Sequence, residues 1–151
     1  MKLQISSRIA IFALLELAAP PPRQFAVAEM AEKYGVSSHH LAKVMQVLAR
    51  AGLVRAVRGA RGGYQFSGNV RRTTLLDVIQ LFENLGSGPA FSRAMEATDA
   101  GRALREVLAE IDDIARATLG SITLATMLKL VDRRRNGSQS ESAVHQVVMT
   151  R

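Results

Sequence analysis

The sequence predicts a mainly α-helical fold with a small β-wing and one long helix beyond it. Three observations predict this. Apolar residues recur at spacings of three and four through several short segments before residue 85. A Gly- and Arg-rich stretch, VRGARGGYQF at residues 57–66, separates two strand-like runs. A near-heptad apolar pattern then runs through residues 99–119.

The first helix is expected over residues 5–18, with Ile5, Ile9, Phe12 and Leu15 forming an apolar stripe widened by Leu14, Leu17 and Ala18. Pro20, Pro21 and Pro22 end it. A second helix over residues 27–34 places Val27, Met30, Ala31 and Tyr34 on one face, and Gly35 supplies the turn that follows. Ser37 or Ser38 caps the third helix. Leu41, Val44, Met45 and Leu48 face its core side, which leaves His39, His40, Lys43, Gln46 and Arg50 on its sides and outer face. Gly52 ends it.

Residues 53–57 and 63–66 read as two strands of a hairpin whose tip holds Arg58, Gly59, Ala60, Arg61 and Gly62. Tyr64 and Phe66 share a face, with Val54 as their cross-strand neighbour. Thr74 and Asp77 make a capping-box-like start to a fourth helix carrying Leu75, Leu76, Val78, Ile79, Leu81 and Phe82. Gly86, Gly88 and Pro89 open a polar linker. In the long helix, Leu104, Val107, Leu108, Ile111, Ala115, Thr118 and Leu119 trace a seam too extensive for so small a head to cover, and pairing with a second copy is the economical solution. Gly120 ends that helix, and Thr123 caps a short closing one over residues 124–131.

The expected organisation is therefore a head at 1–85, a linker at 86–98, a dimerisation helix (99–119) and closing helix within 99–131, and a disordered polar tail at 132–151. Arg133 to Arg135 in that tail are basic but solvated.

Charge is distributed unevenly. Residues 1–72 hold eleven Lys or Arg against three acidic residues, whereas residues 73–151 hold nine against ten, so the formal +7 resides in the first half. A polyanion at that end would be neutralised with release of counterions. One helix with small and hydrogen-bonding side chains, followed at once by a Gly- and Arg-rich hairpin, suits a major groove and the backbone beside it. Double-stranded DNA is the expected partner. A dimeric adaptor whose winged head binds protein is the alternative.

Other classes find little support. No apolar run is long enough to span a membrane, and Arg8 and Glu16 interrupt the N-terminal segment, which reads as the first helix of a cytoplasmic protein rather than a signal peptide. The chain has no cysteine, which excludes disulfides, thiolate metal sites and Cys-ligated clusters. His39 and His40 are about 100° apart on a helix and poorly placed to share a metal, and neither has an acidic partner for a nucleophilic triad. Gly59, Gly62 and Gly63 feed a strand, not the helix that a phosphate-binding loop requires. No enzyme is expected, and Met95 and Met127 read as packing residues.

The segments MKLQISSRIAIFALLELA, VAEMAEKYGVSSHHLAKVMQVLARAGLV, VRGARGGYQF and TLLDVIQLFE, in this order and spacing, resemble the Rrf2 family of bacterial winged helix-turn-helix regulators, in particular its nitric-oxide-sensing branch. The resemblance covers about residues 1–131. It implies a homodimeric repressor on an imperfect palindrome in promoter DNA, cytoplasmic and nucleoid-associated when bound. It places Ser37, Ser38, His39, His40 and Lys43 in the major groove and Arg58 and Arg61 at the minor groove. Apart from the resemblance, the basic residues Arg50 and Arg55 are further candidate DNA contacts. Where cluster-bearing members carry three cysteines this chain reads GSGPAFSRAMEATDAG, and Arg8 stands where nitric-oxide-sensing relatives place an acidic residue. The resemblance therefore implies a cluster-free member without a metal cofactor. Any small-molecule effector is expected between head and long helix, near Phe82, Leu85, Phe91 and Leu104.

Overall fold

The computed structural model describes residues 2–85 and 92–148, with side chains through Gly137. Helix α1 (Ile5–Ala18) is the centre of the head, burying Ile9, Ala10, Ala13, Leu14 and Leu17. Ile5 and Phe12, expected on the inner stripe, are instead 58% and 48% exposed. So many apolar residues surround this helix that their spacing selects no single inner face. The face chosen carries Ala10 and Ala13, whose small side chains permit close packing of the following helices. Beyond Ala19 the chain reaches α2 (Val27–Tyr34), and Gly35, at φ 62°, adopts the left-handed conformation that the turn into α3 (Ser38–Arg50) requires.

Helix α3 buries Leu41, Val44, Met45 and Leu48, the four residues its spacing selects. Strands β1 (Val54–Val57) and β2 (Gly63–Phe66) form an antiparallel ribbon in which Val54 pairs with Phe66 and Ala56 with Tyr64. A capping box between Thr74 and Asp77 starts α4 (Leu75–Ile79). The carboxylate of Glu83 then accepts hydrogen bonds from the Gln4 backbone N–H at 3.0 Å and the buried Ser7 hydroxyl at 2.5 Å. A negative group there also suits the positive end of α1.

Within the stretch read as a linker, Ser92 caps a single turn, α5 (Arg93–Glu96). The long α6 (Asp99–Ser121) begins at a Thr98 cap and continues through Gly120, which therefore does not end it. The α6 end is held to the head by paired backbone hydrogen bonds, Leu75 N–H to Ile122 and Leu124 N–H to Thr73. Thr123 caps α7 (Leu124–Val148), accepting from the Thr126 N–H at 3.2 Å.

Helix α7 corrects two expectations, that the closing helix stops at residue 131 and that a disordered tail follows. Once Leu124 anchors its first turn in the core, each added residue needs only propagation, not nucleation, and no proline interrupts the sequence that follows. Leu14, Leu17, Leu41, Leu48, Ile79 and Leu124 are all essentially inaccessible and join head and C-terminal helices in one core.

Candidate nucleic-acid interface

The third helix presents a polar outer surface because its apolar residues occupy the opposite one. Ser37 is the N-cap, its hydroxyl accepting from the His40 N–H at 3.4 Å, and Ser38, His39, Lys43 and Gln46 are exposed beyond it. His40 is placed differently. Its ring is half-buried, with Nε2 2.9 Å from Ser6 Oγ, so it ties the start of α3 to the start of α1. Arg50 is exposed in the last helical turn, where a cation also suits the helix dipole.

The wing is fastened to the far end of the same helix. Leu53 N–H donates to Leu48, Ser67 N–H to Leu53 at 3.0 Å, and the Ser67 hydroxyl to the Gly52 carbonyl at 3.0 Å. These bonds fix the ribbon's base relative to α3. At the tip, Gly59 has φ 125°, a conformation open to glycine, and Gly62 N–H donates to the Gly59 carbonyl at 2.9 Å. Arg58 and Arg61 are exposed there, with no side-chain hydrogen bond or ion pair among the described residues. Arg55, on β1, donates to Gln65 Oε1 at 3.0 Å and is held along the ribbon.

A third extended segment supports the wing, and its spacing gave no sign of it. Phe25 and Tyr64 exchange backbone hydrogen bonds of 3.2 and 2.9 Å. Gln24 donates to the Arg61 carbonyl and accepts from the Gln65 amide at 3.4 Å. The Phe25 backbone lies so close to β2 that Gly63 is required, since a Cβ there would meet the Phe25 carbonyl oxygen at 2.3 Å. Only the glycine pair before Tyr64 hinted at this approach.

Of the residues expected around an effector, Phe82 and Leu85 pack partly buried against the head core. Leu104 lines a separate shallow cleft of about 370 Å³ with Met95 and Thr98, between α5 and α6. Phe91 lies outside the described residues. Arg133 and Arg135 are exposed on α7 rather than in a tail without structure.

Residues 3–130 match the model of the Rrf2 family, described as an iron-dependent transcriptional regulator. The chain is 44% identical over 149 residues to the HTH-type transcriptional regulator BadM of Rhodopseudomonas palustris, covering 96% of this chain and 95% of that protein. Among solved structures it is similar to CymR (YrzC), the global cysteine regulator of B. subtilis, with TM-score 0.71 and 26% identity over 86% of this chain and 98% of that one. IscR of T. potens is similar at TM-score 0.64 and 29% identity, over 87% and 88% of the two chains.

The donor set of this chain does not fit the iron in the family's description. It contains no cysteine, and among the described residues no three His, Asp or Glu side chains gather where they could hold a metal ion. His40, half-buried where His39 is exposed, is already hydrogen-bonded to Ser6. The family match runs from the head, with α3 and its stapled wing, through α6: the chain belongs to the Rrf2 family of winged helix-turn-helix proteins and is a DNA-binding transcriptional regulator, not an enzyme.

Proposed function

We propose that this protein is a cytoplasmic, cluster-free repressor that binds an imperfect palindrome as a homodimer. In this reading Ser38, His39 and Lys43 approach base edges in the major groove while Arg58 and Arg61 reach the flanking minor groove. Ser37 and His40 position the helix rather than read sequence, because both side chains are engaged within the head. Arg50 and Arg55 supply positive charge near phosphates. The observation that carries the reading is the wing fastened to the recognition helix, with two arginines at its glycine-rich tip that have no side-chain partner among the described residues.

Pairing rests on α6. Leu104, Val107, Leu108, Ile111 and Ile114 are 40–60% exposed along it, an apolar seam that a second copy would cover. Two heads related by a two-fold axis would then meet half-sites about 34–36 Å apart, or a multiple of that distance. Repression follows if the operator overlaps the polymerase site.

A gel shift with the gene's own upstream fragment, repeated across salt, tests the reading. Affinity is expected to fall steeply and log-linearly as salt rises, because phosphate contacts release counterions. Salt-independent capture of a protein, with no DNA shift, would favour an adaptor instead.

A further inference from the structure

A cleft of about 260 Å³ opens between α1, α2 and the start of α3, on the helix-turn-helix itself. Its walls are apolar, with Ile5 and Phe12 from α1, Met30 from α2 and Leu41 from α3. Arg8 is the one charged residue lining it. Its guanidinium has no ion-pair or hydrogen-bond partner among the described residues. The polar group opposite is already engaged, since the Tyr34 hydroxyl donates to Glu16 at 2.8 Å while its ring stacks on Phe12 at 5.6 Å. Glu16 in turn accepts Lys33 at 2.7 Å. The cleft thus offers apolar walls and a single uncommitted cation.

We propose that this cleft binds a small apolar monocarboxylate, and that its occupancy alters DNA binding. The guanidinium fork of Arg8, exposed at the mouth of the cleft, matches a carboxylate bidentately, and the apolar walls beside it cover the rest of a small acid. The volume lies below the roughly 300–1,000 Å³ of sites for drug-sized ligands, which selects a small acid over a nucleotide or coenzyme. Gly35 and Val36 also line the cleft. They form the turn immediately before the Ser37 cap, and Leu41 is the first buried anchor of α3. An acid seated there acts on the pivot of the recognition helix. This inference rests on the reading of the protein as a DNA-binding regulator.

The test is calorimetry of the full chain with hexanoate and phenylacetate, each beside its neutral amide, paired with gel shifts of the upstream fragment with and without acid. Wild type is expected to bind at least one acid, at least about tenfold more tightly than the amide, and to change its DNA affinity by about fivefold or more. Arg8→Gln is expected to lose that acid preference while shifting DNA normally without acid. Ile5→Glu, at an exposed position, is expected to repel the acid and keep the amide. Binding of neither acid, equal binding of acid and amide, or acid binding that leaves the DNA shift unchanged would overturn the proposal. So would a change of oligomeric state in Arg8→Gln, which would assign the cleft to a second copy. Failure of acid-free wild type to shift DNA would instead count against the regulator reading, with calorimetry still testing the cleft.

Discussion

At Gly63 an added Cβ would sit 2.3 Å from the Phe25 carbonyl oxygen, against backbone that cannot yield without breaking the Phe25–Tyr64 pair. Gly63→Ala is therefore expected to destabilise the protein by about 1–3 kcal/mol, as overpacking commonly does, and to weaken DNA binding because the wing loses its support. Thermal melting and a gel shift measure the two effects. Glu16 supplies a second test. Burial pushes its carboxyl up, but hydrogen bonds from Lys33 and Tyr34 and the charges of Lys33 and Arg135 outweigh that and hold it below the ordinary 4.5. A lowered folded value means the contribution is present above 4.5 and lost as pH falls through it. The stability difference between wild type and Glu16→Gln is expected to be about 1 kcal/mol or less near neutrality, since Lys33 is half exposed, and to shrink on acid titration as pH falls below 4.5 and through the lowered folded value. Burial and the neighbouring Glu16 carboxylate push the Tyr34 hydroxyl up, so it stays a donor throughout this range.

Among the elements, α3 was legible in the sequence because only one face is apolar, so Leu41, Val44, Met45 and Leu48 point inward without ambiguity. The capping box of α4 was equally plain, since Thr74 and Asp77 act locally. Helix α1 was legible as a helix but not in orientation, and Phe12 consequently belongs to a cleft wall rather than the core. Support of the wing by Gln24 and Phe25 was not legible, because a single bridging pair leaves no alternating pattern. Helical phase places His40 on the sides or outer face and the resemblance places it in the major groove, and neither carries information about Ser6 on a different helix. The seam of α6 was read from its spacing, and Ile114, 60% exposed, extends it. Ile111→Glu is expected to abolish self-association by placing a charge at the centre of that seam. Sedimentation would show a monomer with retained helical content, whereas an unchanged mass would move the interface elsewhere.

For the molecule as a whole, one core joins the head to the root of α6, so the long helix carries the head rigidly instead of trailing from it. Backbone pairs between Thr73 and Leu124 and between Leu75 and Ile122 close that joint, and Arg116 adds a hydrogen bond to the Leu85 carbonyl. In the proposed dimer, two such bodies joined through α6 would hold two recognition helices at a fixed separation, which would make a basic head a reader of spaced half-sites. The most direct test is hydroxyl-radical footprinting of the wild-type protein on the gene's own upstream fragment. Two protected patches are expected, symmetric about a centre and separated by a whole number of DNA turns of about 34–36 Å. A single patch, or uniform protection without symmetry, would contradict the proposed dimer.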